Sequence, residues 1–391
     1  MKISERLMRA KPSATLAVNA KAQELRAQGK EIVSLAVGEP DFPTPQHVCD
    51  AMKKAVDEGF TRYTPVPGMP QLRTAVAGYY QKFYNVTAKA ENTIITNGGK
   101  HALYNLFMAL IDPGDEVLIP APYWVSYPPM VELAEGKPVI VPTRAKAGFL
   151  ASVEDLEAAC TSKTKLLVLN TPSNPTGAHY PQDQLNEIAE WAIKKGIFIV
   201  SDEVYDRLVY KPASYSTLSK FWEKHPEDVA IVGALSKSFS MTGWRVGSAL
   251  AHPDLVKAMV KIQGQSTSNV NSMAQKAAIA AYEGPWDLID KMTTAFQRRR
   301  DFAHDIITSW PGVVCPKPDG AFYMFPVLDA FYDEETPDSA SMCTKILEEA
   351  GIALVPGSAF GDDRCIRFSY ALDDEILKNA LEKVGKVLMK K

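Results

Sequence analysis

From about residue 90 to residue 255, short apolar runs alternate with helical patterns, and this alternation constrains the fold more than any other feature. Ile94-Ile95-Thr96, Glu116 to Ile119, Pro138 to Val141, Lys165 to Leu169, Ile197 to Val200, Val229 to Val232 and Ser248 to Ala251 are strand candidates. Several are apolar at consecutive positions, so both faces need cover, as in a parallel sheet lying between helices. The clearest unit runs from Lys165 to Asp202: a strand, a Pro/Gly-rich loop, a helix from near Pro181, and a second strand. In that helix Leu185, Ile188, Ala189 and Ala192 share one face, Pro181 suits the first turn and Gly196 can end it. Such a crossover is right-handed, and ligands sit beyond the carboxyl ends of the strands. Asn174, Asp202 and Lys237 each follow a candidate strand, so one cleft edge can gather them.

A chain of 391 residues exceeds what one continuous core supports, so two domains are expected. After about Pro285 the pattern changes to a long helix, short strands near Ala321 to Phe325 and Cys365 to Phe368, and a final helix from Asp373. This reads as a smaller α+β domain. The first 45 residues, helical to Gln28 and then extended over Val33 to Val37, are expected to join it. The division is therefore a large domain over 46–285 and a small one formed from 1–45 and 286–391. A cleft between two domains is a common ligand site.

Composition excludes several function classes. Net charge is −3 with acids and bases mixed along the chain, which leaves no footprint for nucleic acid or an anionic membrane. Arg298-Arg299-Arg300 falls in a helical pattern and reads as a solvated helix face. The five cysteines are scattered, odd in number and never spaced C-x-x-C, which argues against a disulfide framework or a zinc site and for a reducing cytosol. No segment reaches 18 apolar residues and Met1 to Ala20 lacks an apolar signal region, so neither a membrane span nor export is expected.

The chemistry concentrates in Ser236-Lys237-Ser238-Phe239-Ser240-Met241-Thr242-Gly243-Trp244-Arg245-Val246-Gly247. A lone lysine is usually a solvated surface charge. Here Lys237 and Arg245 flank a glycine-containing turn, and a pyridoxal 5′-phosphate (PLP) site needs both an amine to form an imine and a permanent cation for a phosphate dianion. Gly98 and Gly99, followed by Lys100, precede a helical pattern and would let backbone N–H groups approach a phosphate, although from those residues alone a plain turn is the commoner reading. Asp202 ends an apolar strand, where it could cap a following helix or hold a pyridine nitrogen protonated. Asn174 suits a turn, and both it and Tyr205 could instead donate to the cofactor's ring oxygen.

With these residues in view, the chain resembles the fold-type I, class I aminotransferases, and within them the bacterial aspartate aminotransferase subgroup. The likeness runs through Lys11-Pro12-Ser13-Ala14-Thr15, Gly38-Glu39-Pro40-Asp41-Phe42, Tyr63-Thr64-Pro65, Gly98-Gly99-Lys100, Pro122-Tyr123-Trp124, Asn174-Pro175-Thr176-Gly177, Ser201-Asp202-Glu203, the lysine segment and Arg367-Phe368-Ser369. It implies an α/β fold whose large domain holds a mostly parallel seven-stranded sheet flanked by helices. Lys237 would be the Schiff-base lysine and the base that moves the substrate proton. Trp124 would stack on the cofactor ring, Asp202, Tyr205 and Asn174 would address its edge, and Gly98, Gly99, Ser236 and Arg245 would hold its phosphate. Arg367 would bind the substrate α-carboxylate through a bidentate fork, with Gly38, Trp124 and Asn174 alongside. Lys100, Lys11, Ser13 and Thr15 would meet a distal carboxylate. Tyr63 would reach the phosphate of a neighbouring subunit's cofactor, making a homodimer part of the site.

One position departs from the pattern: many relatives carry serine three residues before the lysine, where this chain has Ala234, so Ser236 or another donor would compensate. The implied reaction is ping-pong transamination of aspartate or glutamate with 2-oxoglutarate or oxaloacetate, with prephenate, giving arogenate, as an additional candidate. The competing readings are a class I aminotransferase for aromatic or neutral amino acids, a PLP β-lyase on the same fold, and a ligand-binding domain of a transcription regulator. The last carries an added DNA-binding module for which the amino-terminal sequence leaves no room.

Overall fold

The computed structural model describes residues 3–9 and 14–390. Its centre is a seven-stranded sheet in the order Thr93–Thr96, Gly247–Leu250, Val229–Ala234, Phe198–Asp202, Thr164–Asn170, Glu116–Ala121 and Lys137–Pro142. Gly247–Leu250 runs antiparallel to both neighbours, and every other pairing is parallel. All seven strands coincide with the apolar runs in the sequence.

Strand alternation explains why those runs are apolar throughout. In Thr164–Asn170, Leu167 and Leu169 enter the core on one face of the sheet, with Leu185, Ile188, Ala189 and Ala192 of helix Gln182–Lys194. Leu166 and Val168 enter the core on the other face, with Leu103, Leu106 and Phe107 of helix Gly99–Leu110. Lys137–Pro142 lies at the edge, where its two prolines remove no ladder bond that a central strand would need. The crossover helix starts at Gln182, with Pro181 one residue before it rather than inside its first turn.

A second core joins the two ends of the chain. Val33–Ser34 pairs in parallel with Ile352–Ala353, and Ile366–Ser369 lies between Val355–Pro356 and Tyr323–Met324 in an antiparallel sheet. Helices Asp287–Thr308, Ser339–Ala350 and Asp374–Leu388 contribute to this core, and Leu35 belongs to it as well.

The arginine run corrects the sequence reading. Only Arg298 is solvated; Arg299 and Arg300 are buried. Arg299 pairs with Asp41 and Asp374 at 2.8 Å each, and lies against the rings of Phe42 and Phe296. Arg300 pairs with Asp301 and donates to the Pro318 carbonyl at 2.9 Å. Helical periodicity places a residue on a face but is silent on what another segment brings to it. Here residue 41 and residue 374 bring carboxylates to the inner side.

Candidate active site

The carboxyl ends of the strands open into a cleft of about 440 Å³ that gathers most of the expected residues: Gly38, Gly99, Lys100, Trp124, Asn174, Asp202, Tyr205, Ser236, Lys237, Arg245 and Arg367. Gly98 is the N-cap of helix Gly99–Leu110, directly beside the lining. Tyr63 lies outside the cleft and is 93% exposed. Lys11 and Ser13 fall outside the described residues. Thr15 lies in helix Ala14–Ala27, and its side chain is outside what the structure describes.

Lys237 sits in a four-residue helix, Leu235–Ser238, that follows the strand Val229–Ala234 directly. Its Nζ donates to the Gly38 carbonyl, joining the two ends of the cleft wall. Burial pushes its pKa down to about 8, an effect that Glu39 opposes and that Arg367 and Arg245 reinforce. An amine in that range supplies the neutral, nucleophilic form near neutral pH far more readily than a solvated lysine.

Asp202, 4% exposed, lies on the neighbouring strand and accepts a hydrogen bond from the Tyr127 hydroxyl at 2.6 Å. Burial raises its pKa to about 6, against the lowering effects of Tyr127, the Val204 amide and Lys237. No helix begins after it; residues 204–207 form a turn, so the capping alternative falls away. A carboxylate held at the floor of a cleft with so little positive charge is suited to a cationic N–H group arriving from the cleft.

The glycine loop is shaped around Arg245. Gly98 has φ +81°, and a Cβ there would lie 2.4 Å from an Arg245 guanidinium nitrogen. A Cβ on Gly247 would meet the Gly98 carbonyl carbon and the Gly99 nitrogen at 2.4 Å each. Arg245 donates to the carbonyls of Thr242 at 2.9 Å and Asn97 at 3.2 Å, which fixes the guanidinium beside the start of the helix. The Gly98 N–H donates to the Thr96 carbonyl at 2.8 Å, which leaves the helix-start N–H groups of Gly99 and Lys100 beside a permanent cation, a cradle for a phosphate. Ser236 is buried on the same side and lines the cleft, as does Ala234.

Arg367 is only 2% exposed and occupies the central strand of the small antiparallel sheet rather than the surface. It donates to Asn174 Oδ1 at 3.0 Å and to the Ala36 carbonyl at 2.7 Å, while its Nε has no partner. Its guanidinium carbon lies 4.6 Å from the ring centroid of Tyr323 and 5.1 Å from that of Phe360. No carboxylate among the described residues pairs with it. A buried guanidinium with an orphaned N–H, flanked by aromatic faces and open to a cleft, is built for an incoming carboxylate. At the cleft mouth the Lys100 ammonium lies 4.9 Å from the Trp124 ring centroid, and partial desolvation followed by the Arg245 charge lowers its pKa.

Sequence reasoning missed two groups that line the cleft, Glu39 and Tyr323, and one buried behind it, Tyr127. Tyr127 holds Asp202, and its one signal is its position three residues after Trp124, at the start of helix Tyr127–Leu133. Glu39 lies in the motif after Gly38 and accepts from the Thr242 hydroxyl at 2.5 Å. Tyr323 is fully buried with its hydroxyl 3.1 Å from that of Tyr205, and an aromatic residue in a short apolar strand gives no hint of this.

The comparisons agree with this geometry. The aminotransferase class I and II family model matches residues 30–384. An aspartate aminotransferase of Bacillus subtilis is 42% identical over 391 residues, covering 100% of both chains. An aspartate/prephenate aminotransferase of Cereibacter sphaeroides is 40% identical over 389 residues, covering 98% of this chain and 97% of its own. Among solved structures, the aspartate aminotransferase of Thermus thermophilus with maleate has a TM-score of 0.93 at 40% identity, covering 99% of this chain and 100% of that one. A cleft built around a half-buried lysine, a floor carboxylate and an arginine with no carboxylate partner among the described residues, on a fold and sequence matched end to end, assigns the chain to the class I and II aminotransferases.

Proposed function

We propose that this enzyme binds PLP in the cleft and transfers the amino group of aspartate or glutamate to a 2-oxo acid, 2-oxoglutarate or oxaloacetate, in two alternating half-reactions, and that it also accepts prephenate to give arogenate. The observation that carries the reading is the buried, anion-free Arg367 in one cleft with Lys237 and Asp202. PLP supplies, when bound, an aldehyde that condenses with primary amines and a ring that accepts an electron pair. The residues fit it: the Gly98 cradle and Arg245 for the phosphate, with Gly99 and Ser236; Asp202 for the ring nitrogen; Tyr205 and Asn174 for the ring oxygen; and Trp124 for the ring face.

Lys237 holds the cofactor at rest and, once released, moves the proton at the substrate α-carbon. Arg367, Asn174, Trp124 and Gly38 hold the α-carboxylate so that this proton faces the lysine. Lys100 meets the distal carboxylate, with Lys11, Ser13 and Thr15 assigned to the same end. A second carboxylate entering a dehydrating cleft needs a cation, and an apolar side chain would leave that cation unpaired.

The same reading divides the chain into a large domain, 46–285, and a small domain from 1–45 and 286–391, with the cofactor between them. It makes the working form a cytosolic homodimer in which Tyr63, almost wholly exposed on one chain, reaches the partner's cofactor phosphate. The named relatives support aspartate, and one of them prephenate. The test is a panel of aspartate, glutamate, asparagine and alanine as donors to 2-oxoglutarate, oxaloacetate and prephenate, run on wild type and Lys100→Ala. Loss of about tenfold or more in kcat/KM for aspartate with little change for alanine is expected, in line with one desolvated ion pair. Equal loss for both donors would remove Lys100 as the reader of the distal carboxylate.

A further inference from the structure

The geometry points to Tyr323 as a positioning residue that acts through Tyr205: its hydroxyl orients the Tyr205 hydroxyl toward the cofactor's ring oxygen, while its ring lies beside Arg367. The inference rests on the PLP reading and assigns a role to a residue that reading did not use.

Tyr323 and Tyr205 are both buried, with their hydroxyl oxygens 3.1 Å apart and their rings edge to face at 6.0 Å. The Tyr205 hydroxyl has no other hydrogen bond among the described residues, so without Tyr323 its rotor is undefined. Burial holds the Tyr205 pKa well above its ordinary value, so its hydroxyl keeps its proton and can donate it. If Tyr323 donates to the Tyr205 oxygen, Tyr205 keeps its single proton for the cleft, and a donor polarised in this way gives a stronger bond. Gly38 belongs to the same arrangement, because a Cβ there would lie 3.1 Å from the Tyr323 oxygen. The ring face of Tyr323 lies 4.6 Å from the Arg367 guanidinium. One side chain therefore touches the group assigned to the substrate carboxylate and the group assigned to the cofactor.

Tyr323→Phe deletes one oxygen and leaves the ring beside Arg367. Purified holoenzymes of wild type, Tyr323→Phe, Tyr205→Phe and the double variant would be compared in three ways. These are the pH titration of the bound cofactor's visible absorbance, the affinity for succinate as an unreactive dicarboxylate, and kcat. For Tyr323→Phe the expected results are a higher titration midpoint, because the ring oxygen loses donor strength, and a kcat lower by about tenfold, the scale of one hydrogen bond. Succinate affinity should change less than about threefold, since the ring contact with Arg367 remains. The double variant should be no worse than Tyr205→Phe alone, because Tyr323 acts through that residue. An unchanged midpoint, a loss of succinate affinity equal to the loss in kcat, or effects that multiply in the double variant would each overturn the proposal. A wild-type protein with no cofactor absorbance linked to Lys237 would overturn the PLP reading itself, and is told apart by that control.

Discussion

The two walls of the cleft are built by different means. On the sheet side, Asp202 ends the strand Phe198–Asp202 and Lys237 lies in the short helix that directly follows the adjacent parallel strand Val229–Ala234, so strand pairing brings both to the same end of the sheet. On the other side, Tyr323 and Arg367 lie on paired strands of the small sheet, while Gly38 belongs to a segment far earlier in the chain that is tied in by contacts of Lys237 with the Gly38 carbonyl and of Arg367 with the Ala36 carbonyl, the Tyr323 ring lying beside Arg367. The first wall is placed by the main sheet alone, and the second couples a short strand pair to a distant segment through long-range contacts. The sheet wall should therefore tolerate substitutions without moving, whereas changes in the opposite wall should alter how substrate is held.

The largest effect is expected on the sheet wall. Asp202→Ala should lower kcat about a thousandfold or more, near 4 kcal/mol, because a cationic ring nitrogen loses its buried partner, with the unfolding midpoint little changed. Asp202→Glu should lose less. Near-normal turnover in the alanine variant would end the comparison, since topology would then be placing a residue with no chemical task.

On the opposite wall, Arg367→Lys should lower kcat/KM about a hundredfold with most of the change in KM, because an ammonium cannot form the two-pronged bond to a carboxylate. A loss confined to kcat would mean that Arg367 serves the chemistry rather than substrate holding, and the two walls would not differ as described.

The smallest effect is a stability change in the cofactor-free protein. Burial holds the Lys237 pKa at about 8 against an ordinary 10.5, so between these values the unfolded chain binds more protons and folding stability rises with pH. The burdened form is the charged one, present below pH 8. Lys237→Met should therefore stabilise the cofactor-free protein by on the order of 2 kcal/mol at pH 7, and by much less above pH 10. Equal gains at both pH values, measured by urea unfolding, would mean that the burial penalty is not carried by the charge.

The same contrast sets what was legible in the sequence. The seven strands were readable because consecutive apolar residues have one physical explanation, a sheet covered on both faces, and Leu166 to Leu169 divide between the two cores accordingly. Asp202 and Lys237 were readable as strand-end residues for the same reason. Arg367 was not: in isolation it reads as a surface arginine, and only resemblance marked it. Its burial comes from the rings of Tyr323 and Phe360, which no local pattern connects to it. Tyr127 and Tyr323 were missed because a tyrosine in an apolar stretch looks the same whether its hydroxyl meets a catalytic partner or a backbone carbonyl. Arg299 was misread as solvated because its partners, Asp41 and Asp374, lie far away in the chain.

The most direct test of the account is to load the purified protein with PLP, reduce it with borohydride and locate the modified peptide by mass spectrometry. The prediction is a single cofactor-modified residue, Lys237, with the visible absorbance of the bound cofactor absent from Lys237→Ala. Modification of a different lysine, or an undiminished cofactor band in Lys237→Ala, would contradict it.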